Sequence, residues 1–192
     1  QVRRSLKTRN KKEARRRGLP CFQSTIDVLP ELVKPYTRNL FRRQKIFTGQ
    51  ELESRFNVYL ERYTKEVNIE AAVAVEMAEK QIIPAAIGFA GDVAESLERS
   101  MKIVPELDIS EQRKIISLIH EDASEIIKLS ARLESQRKEQ LLQDDLFKQG
   151  EGFKQRVLPV LNKLREKVDS LEKRLSKDAW PFPGYEDLLF RL

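Results

Sequence analysis

The fold of this chain is decided by residues 48–83, which read TGQELESRFNVYLERYTKEVNIEAAVAVEMAEKQII. Thr48 stands three positions before Glu51, the spacing of a capping box, in which a hydroxyl and a carboxylate accept backbone N–H bonds at a helix start. Apolar residues then follow at helical spacing; they are Leu52, Phe56, Tyr59, Leu60, Tyr63 and Val67. The pattern predicts a capped helix over 49–83 that Pro84 ends or kinks.

The flanks of this helix are expected to be helical as well. Ser24 is a good helix-starting residue, and Pro30 is expected in a first turn, where a missing N–H costs little. Apolar spacing then predicts one short amphipathic helix through Leu32, Val33, Tyr36, Leu40 and Phe41, and Pro35 indicates that it is kinked or begins late. Beyond Pro84, a helical pattern resumes over 85–101, so residues 24–104 are predicted to form a helical core.

Residues 105–177 are predicted to form a helical hairpin. Its first helix starts at Asp108 or Ser110 and runs to about Phe147, and the turn is expected at 149–152, where two glycines lie. The apolar stripe of the first helix is Ile115, Ile119, Ile126, Leu129 and Leu133. The returning helix carries Val157, Leu161, Leu164, Val168, Leu171 and Leu175. Their alternating spacing of four and three is that of a coiled-coil seam, although ordinary bundle packing would give the same spacing.

The last segment, 178–192, differs in character from the helices. It opens with WPFPGY at 180–185, in which two prolines and a glycine prevent a regular helix, and it contains Trp180, the only tryptophan. Such an aromatic segment is expected to dock in an extended form on a groove. The predicted fold is therefore all-α: a long-helix bundle with an antiparallel coiled-coil-like hairpin and an extended aromatic tail.

Charge is concentrated at the N-terminus. The 192 residues carry a net charge of +6, but residues 1–17 hold nine basic groups and one acid, and the remainder has a net of −2. A basic arm is predicted over residues 1–23, and Gly18 ends its run of basic residues. Such an arm can neutralise phosphates, so nucleic-acid binding has to be considered. The arm has no aromatic residue for base stacking before Gly18, and no zinc-finger or RNA-recognition signature follows it. Nucleic acid is therefore an unlikely partner.

No combination of residues indicates catalysis, cofactor binding or metal binding. His120 is the only histidine, and its neighbours Ile116 and Ile119 indicate a partly buried core position, whereas zinc sites need three or four ligands. Cys21 has no histidine near it in sequence, and neither a P-loop nor a dinucleotide-binding glycine pattern occurs. The pair Asp144-Asp145 is expected on a solvated face. We expect no catalytic, cofactor-binding or metal-binding residue, and no enzyme activity of this chain by itself.

The cysteine content, the hydropathy and the first residue of the chain indicate the setting in which it occurs. A single cysteine favours a reducing, cytoplasmic setting. No signal peptide is recognised, and the longest weakly polar run, 82–91, is about half of what a membrane-spanning helix needs. The first residue is Gln rather than Met, so we expect the chain to be part of a longer polypeptide.

Three stretches of the chain form a recognisable pattern. They are RGLP at 17–20 with STIDVLP at 24–30; IFT at 46–48 with ELESRF at 51–56, VNIEA at 67–71, EMA at 76–78 and IIPA at 82–85; and WPFP at 180–183 with DLLF at 187–190. In order and approximate spacing they resemble the C-terminal part of type III glutamine synthetases. The resemblance covers residues 16–190. The family pattern is less basic before Arg16 and has Thr where this chain has Gly184.

The resemblance implies a parent enzyme that joins ammonia to glutamate with ATP and divalent Mg or Mn, as a cytoplasmic double-ringed dodecamer of nitrogen metabolism. In such enzymes the metal-binding, nucleotide-binding and substrate-binding residues lie upstream, so no position of this chain inherits a catalytic role. The implied partners are the catalytic region of the same enzyme and neighbouring subunits, and the implied role is folding, assembly or regulation. Two alternatives stay open: an independent coiled-coil interaction module, and a nucleic-acid adaptor acting through the basic arm.

Overall fold

The structure, a computed structural model, describes residues 12–22 and 24–189, and the regular secondary structure within these ranges is helical throughout. The all-α fold class predicted from apolar spacing is thereby confirmed. The chain divides into two compact units, 1–64 and 65–192. This division does not test the four segments predicted from composition, which stay predictions. About half of the predicted basic arm, residues 1–11 and 23, lies outside the described part.

The first unit begins with two short helices, α1 (Thr25–Leu32) and α2 (Pro35–Arg43). Ser24 is the N-cap of α1, and its hydroxyl donates to the Asp27 carboxylate at 2.9 Å. Pro30 lies in the second turn of α1 and not in the first as expected, because the helix already begins at Thr25. Pro35 is the first residue of α2, where a proline loses no helical hydrogen bond, so this helix begins late and is not kinked.

Two helical segments of the first unit end in the same way. After the short helical segment at residues 12–16, Gly18 adopts a left-handed backbone with φ 67°. The Leu19 N–H then donates to the Ala14 carbonyl at 2.9 Å. After α2, Lys45 adopts φ 52°, and Ile46 N–H donates to the Phe41 carbonyl at 3.0 Å. Both are Schellman-type ends, in which a left-handed residue lets the chain satisfy the last helical carbonyls.

The predicted capping box is present at the start of α3 (Gly49–Met77). The Thr48 N–H donates to Oε2 of Glu51 at 2.7 Å, and the Glu51 N–H donates to Oγ1 of Thr48 at 3.2 Å. The Thr48 N–H bond contributes most to lowering the pKa of Glu51, and the Thr48 hydroxyl, which donates to the same Oε2 at 2.9 Å, adds to it, because both bonds favour the ionised carboxylate. The apolar core of the first unit contains Ile26, Leu29, Leu52 and Leu60.

Pro84 does not end the long helix, contrary to the prediction of a boundary at 83. α3 passes through one π-helical turn, Ala78–Ile82, directly into α4 (Ile83–Ile103). The Ile83 N–H donates to the Ala78 carbonyl, five residues back. A proline lacks an N–H and its ring collides with the carbonyl four residues earlier in a regular helix. The extra residue of a π-helical turn repositions that carbonyl, so the helix continues past the ring.

The turn of the hairpin lies at 142–145, and the prediction of 149–152 is wrong. The first helix, α5, is Ser110–Leu141, and the return begins with α6 (Leu146–Gly152). Asp145 decides this position, because its side chain accepts hydrogen bonds from the N–H groups of Phe147 and Lys148 as a helix N-cap. The two glycines therefore lie inside a helix and do not form the turn.

The return continues through a second π-helical turn, Phe153–Val157, into α7 (Leu158–Glu172). Here the Leu158 N–H donates to the Phe153 carbonyl, again one residue before a proline, Pro159. α5 and α7 pack against each other. The buried apolar residues at this packing are Ile119, Ala123, Ile126 and Leu133 of α5, and Phe153, Val157, Val160, Leu164 and Leu171 of the returning chain.

The observed seam differs in detail from the predicted one. Val157, Leu164 and Leu171 are buried as expected, whereas Leu161, Val168 and Leu175 are half-buried and Val160 takes an interior position. On α5, Leu129 is half-buried and Ile115 is exposed. Supercoiling of the hairpin stays a prediction.

The final described element is the five-residue helix α8 (Tyr185–Leu189), so this part of the tail is helical and not extended. Before it, Trp180 is half-buried and meets Phe182 edge to face, with ring centroids 5.8 Å apart. Leu188 and Leu189 are exposed. Docking of the whole tail stays a prediction, since residues 190–192 and the side chain of Tyr185 lie outside the described part.

Candidate interaction surfaces

The residues considered for catalysis are scattered on the surface. His120 is exposed, so the expectation of a partly buried histidine is wrong; in the helical register of α5 it lies beside Ile119 but outside the seam. Cys21 is exposed with a free thiol. Asp145 serves as the helix cap described above, and Asp144 is exposed beside it. In residues 12–22 and 24–189, no three His, Cys, Asp or Glu side chains form a group that could hold a metal.

A charged cluster crosses the interior of the hairpin. Asp122 is only 8% exposed and lies on the seam side of α5. Its carboxylate pairs with the Arg174 Nε at 3.1 Å and with the Lys167 Nζ at 3.8 Å. The same ammonium contacts Glu125 at 2.5 Å, which raises the pKa of Lys167. Two acids therefore face two bases, so the nearly buried charge of Asp122 is compensated.

A second polar contact joins α5 to the part of α3 in the second unit. The Arg137 guanidinium donates to both carboxylate oxygens of Glu134 at 2.8 Å and also to Oδ1 of Asn68 at 2.9 Å. This bidentate pairing lowers the pKa of Glu134 to about 2 and raises that of Arg137. Lys138 adds a third contact to the carboxylate at 3.1 Å. The hydrogen bond to Asn68 fixes the rotation of α5 relative to α3.

The closest approach within the hairpin involves Gly152. A Cβ atom placed there would lie 1.8 Å from Oε1 of Gln140, whose side chain is buried between the two helices. Gln149 also donates to the Gln140 carbonyl at 3.2 Å. Glycine is therefore required here by lack of space and not by backbone conformation, since its φ is −61°.

The buried residues Asp122 and Gln140, and the partly exposed partners of Asp122, were not identified from the sequence. Asp122, Gln140, Lys167 and Arg174 occupy or border positions that continue the apolar spacing of three and four. A polar residue at such a position could have indicated a polar contact between the two helices, because in helical pairs such a residue specifies register at a cost in stability. The predicted seam placed Val168 and Leu175 inside and thereby assigned their neighbours Lys167 and Arg174 to the solvent.

Helix α2 is the most exposed element of the first unit, since none of its nine residues is buried. Its inner side is half-buried: Oγ1 of Thr37 donates to the Glu31 carbonyl at 2.7 Å, and Phe41 lies 5.5 Å from Phe47, centroid to centroid. Its outer side consists of the exposed residues Tyr36, Asn39, Leu40 and Arg43.

An apolar corner lies in the second unit, where α4 turns into α5. Ile103 is 82% exposed, and exposed apolar side chains recur on both sides of the turn. They are Val104, Leu107, Ile115 and Leu118. A cluster of this kind is typical of a contact surface, although it contains no charged or polar group that would identify a partner.

The two units differ strongly in charge. Residues 1–64 contain sixteen basic and six acidic groups, a net of +10, and residues 65–192 contain twenty basic and twenty-four acidic groups, a net of −4. A second basic segment follows the arm: residues 34–45 contain five basic groups and no acid. The net charge of −2 outside residues 1–17 had indicated that basic groups are concentrated in the arm alone. The segment 34–45 shows that they are not.

Within the ranges that the structure describes, no helix is long and apolar enough to cross a membrane. The longest, α5, has polar or charged residues along its whole length.

Comparison with known proteins gives a consistent result. The family model described as the glutamine synthetase C-terminal domain matches residues 7–102, half of the chain. The match begins within the basic arm, earlier than the resemblance at residue 16 had indicated, and it ends just before the hairpin.

Individual relatives extend the similarity over the hairpin. A glutamine synthetase of Bacteroides fragilis is 31% identical over 188 residues, covering 94% of this chain and 25% of that protein. The type-3 glutamine synthetase of Dictyostelium discoideum is 29% identical over 192 residues, with coverages of 94% and 25%. A glutamine synthetase of Butyrivibrio fibrisolvens is 23% identical over 180 residues. The chain spans about a quarter of the length of the curated relatives it matches.

Proposed function

Because the chain belongs to the glutamine synthetase C-terminal domain family, we propose that it is the non-catalytic C-terminal part of a type III glutamine synthetase, serving folding, subunit assembly or regulation. The observation that supports the proposal is the family match over residues 7–102, because that family is described as the C-terminal domain of glutamine synthetase. The relatives are about four times as long as the chain, which leaves room for a separate catalytic region.

The parent reaction under this proposal is the ATP-dependent ligation of ammonia to glutamate. ATP and Mg or Mn would bind in the remainder of the parent, where the family resemblance puts the metal-binding and nucleotide-binding residues. A cytoplasmic location and a dodecameric assembly belong to the same proposal. Under this proposal the chain provides contact surfaces and takes no part in the reaction.

The geometry supports a structural role for the hairpin. The pairing of Asp122 with Arg174 and the hydrogen bond from Arg137 to Asn68 fix α5 against α7 and α3 at two separate points. We infer that these polar contacts hold the helices in one register, a role attested for polar residues between paired helices. A fixed hairpin is suited to holding neighbouring parts of an assembly at a defined distance.

The test compares the full-length parent with a variant in which residues 105–177 are replaced by a short flexible linker. We expect the variant to keep the residues that bind ATP and glutamate but to change its sedimentation coefficient or thermal stability. The isolated chain should form no glutamine from ATP, glutamate and ammonia. Turnover by the isolated chain that survives repurification contradicts the proposal, and so does an upstream reading frame that encodes no ligase domain.

A further inference from the structure

The outer side of α2 has the spacing of a helix that inserts into a groove. Tyr36, Asn39, Leu40 and Arg43 follow each other at positions i, i+3, i+4 and i+7, the positions that share one face of a helix. Tyr36 is 63% exposed and Leu40 is 54% exposed, although both are large and apolar. Tyrosine and arginine are enriched among residues that contribute most to protein–protein binding.

The inner side shows that this exposure does not result from a loosely attached helix. The Arg38 Nε donates to the Val33 carbonyl at 2.7 Å, and its Nη2 pairs with Glu53 of α3. Thr37 and Phe41 hold the same side, as described above. The rotation of α2 is therefore fixed, with its apolar outer residues directed away from the unit that supports it.

Tyr36 is held in place before any partner arrives. Its hydroxyl donates to Oε2 of Glu31 at 3.0 Å, and the other oxygen of that carboxylate pairs with the Lys34 Nζ at 2.6 Å. A side chain fixed in this way loses less conformational entropy on binding than a free one. The charge of Glu31 is balanced by Lys34, so the basic character of this face comes from the neighbouring groups of Arg42, Arg43 and Lys45.

The charge of the face indicates the chemistry of its partner. Arg42, Arg43 and Lys45 follow the apolar residues along the chain, and residues 34–45 include no acid. Two copies of this face would repel each other across a two-fold axis, which disfavours its use as a symmetric dimer contact. A nucleic acid would use the basic groups but would leave Leu40 without an apolar contact. The complementary surface is an apolar groove with an acidic rim on a protein.

We propose that the outer face of α2 docks into an apolar groove with an acidic rim on the catalytic region of the same polypeptide. This inference rests on the proposed function, because it requires a catalytic region upstream. Three-quarters of the length of the relatives lies outside the part that this chain matches, and α2 lies within the segment that the family model matches. Docking would cover Tyr36 and Leu40 and pair Arg43 with a carboxylate.

The test is site-specific photo-cross-linking in the full-length parent, with p-benzoylphenylalanine replacing Leu40. The matched control replaces Ile127, which is 48% exposed on the outer side of α5. After irradiation and proteolysis, mass spectrometry should show peptides of the catalytic region joined to position 40 and none joined to position 127. Adding Arg43→Glu should abolish the cross-link from position 40, whereas Arg165→Glu, an exposed change on α7, should leave it intact.

Cross-links from position 40 only to residues 1–192 of a second copy, or to nucleic acid, overturn the proposal. Equal yields at positions 40 and 127 overturn it as well. A parent that is an active glutamine synthetase without a cross-link from position 40 refutes the docking surface alone. A parent without a catalytic region refutes the proposed function, and the docking surface with it.

Discussion

The contact between Gly152 and Gln140 allows a prediction in which one substitution changes sign with its background. Replacing Gly152 by alanine would place a Cβ atom 1.8 Å from Oε1, 2.7 Å from Cδ and 3.3 Å from Cγ of Gln140. Ordinary carbon contacts need about 3.5–4.0 Å, so the amide of Gln140 must move by well over an ångström. That amide is 3% exposed and donates to the Gln136 carbonyl at 3.4 Å, so little space is open to it.

Two opposing contributions set the change in the free energy of unfolding that Gly152→Ala should cause. Overpacking a filled interior typically costs about 1–3 kcal/mol, whereas alanine is more favourable than glycine in a helix by about 1 kcal/mol. Gly152→Ala should therefore lower the free energy of unfolding by about 0–2 kcal/mol. In a Gln140→Ala background the obstructing amide is gone, and the same substitution should raise the free energy of unfolding by about 1 kcal/mol.

The assay is urea unfolding followed by far-UV circular dichroism on the four proteins of this double-mutant cycle. Gly88→Ala supplies the control, because Gly88 is exposed in α4 and a Cβ there meets nothing within 4 Å. It should stabilise by about 1 kcal/mol in either background. If Gly152→Ala changes stability equally in both backgrounds, the close approach to Gln140 does not exist in solution.

Three further predictions follow from the same structure. Leu164→Ala removes a side chain that is 2% exposed in the seam and should lower the free energy of unfolding by about 2–5 kcal/mol in urea titrations. Glu134 has a pKa of about 2 in the folded chain, below its ordinary value of 4.5. Its ionised carboxylate therefore contributes fully to the free energy of unfolding above about pH 4.5, and this contribution is lost as the pH falls toward 2. The stability difference between the natural chain and Glu134→Gln should therefore shrink over that range, from about 1–2 kcal/mol once solvent screening of this partly exposed group is allowed for. Trp180 is half-buried against Phe182, so its fluorescence should be blue-shifted from free indole and should move to the red as the helices unfold.

Each of these predictions has its own control. Lys163→Ala, an exposed change next to Leu164, should leave stability nearly unchanged, and equal losses for the two variants would show that the seam is not packed. A stability difference between the natural chain and Glu134→Gln that stays constant from pH 4.5 to 2 would contradict the pairing of Glu134 with Arg137. Emission of Trp180 at the free-indole position in the native chain would contradict the contact with Phe182.

Several features of the fold were predictable because their causes are local. The capping box joins two residues three positions apart, and Thr48 and Glu51 form it as predicted. Gly18 was predicted to end the arm, and its left-handed backbone is a conformation that glycine adopts at no steric cost. Helical spacing of apolar residues likewise indicated the all-α fold class.

The position of the hairpin turn was not predictable from glycine content. Gly150 and Gly152 are common turn residues, but Gly152 is also the only kind of residue that fits against Gln140 within a helix. The competing signal was Asp145, a strong helix cap that lies next to Asp144 in what reads as a plain acidic pair. Choosing between them requires knowing which helix faces position 152, and that information is not local.

The same limit applies to the interaction surfaces. By itself the sequence determined the helical class, the start of the long helix and the family, since each depends on residues a few positions apart or on a linear pattern. Only the tertiary structure decided that Val160 and not Leu161 faces the interior, and that Lys167 and Arg174 reach Asp122. Both candidates at 160 and 161 are apolar and one position apart, so either fits the spacing. The choice depends on the rotation of α7 against α5, which is set by contacts between residues about fifty positions apart in the chain.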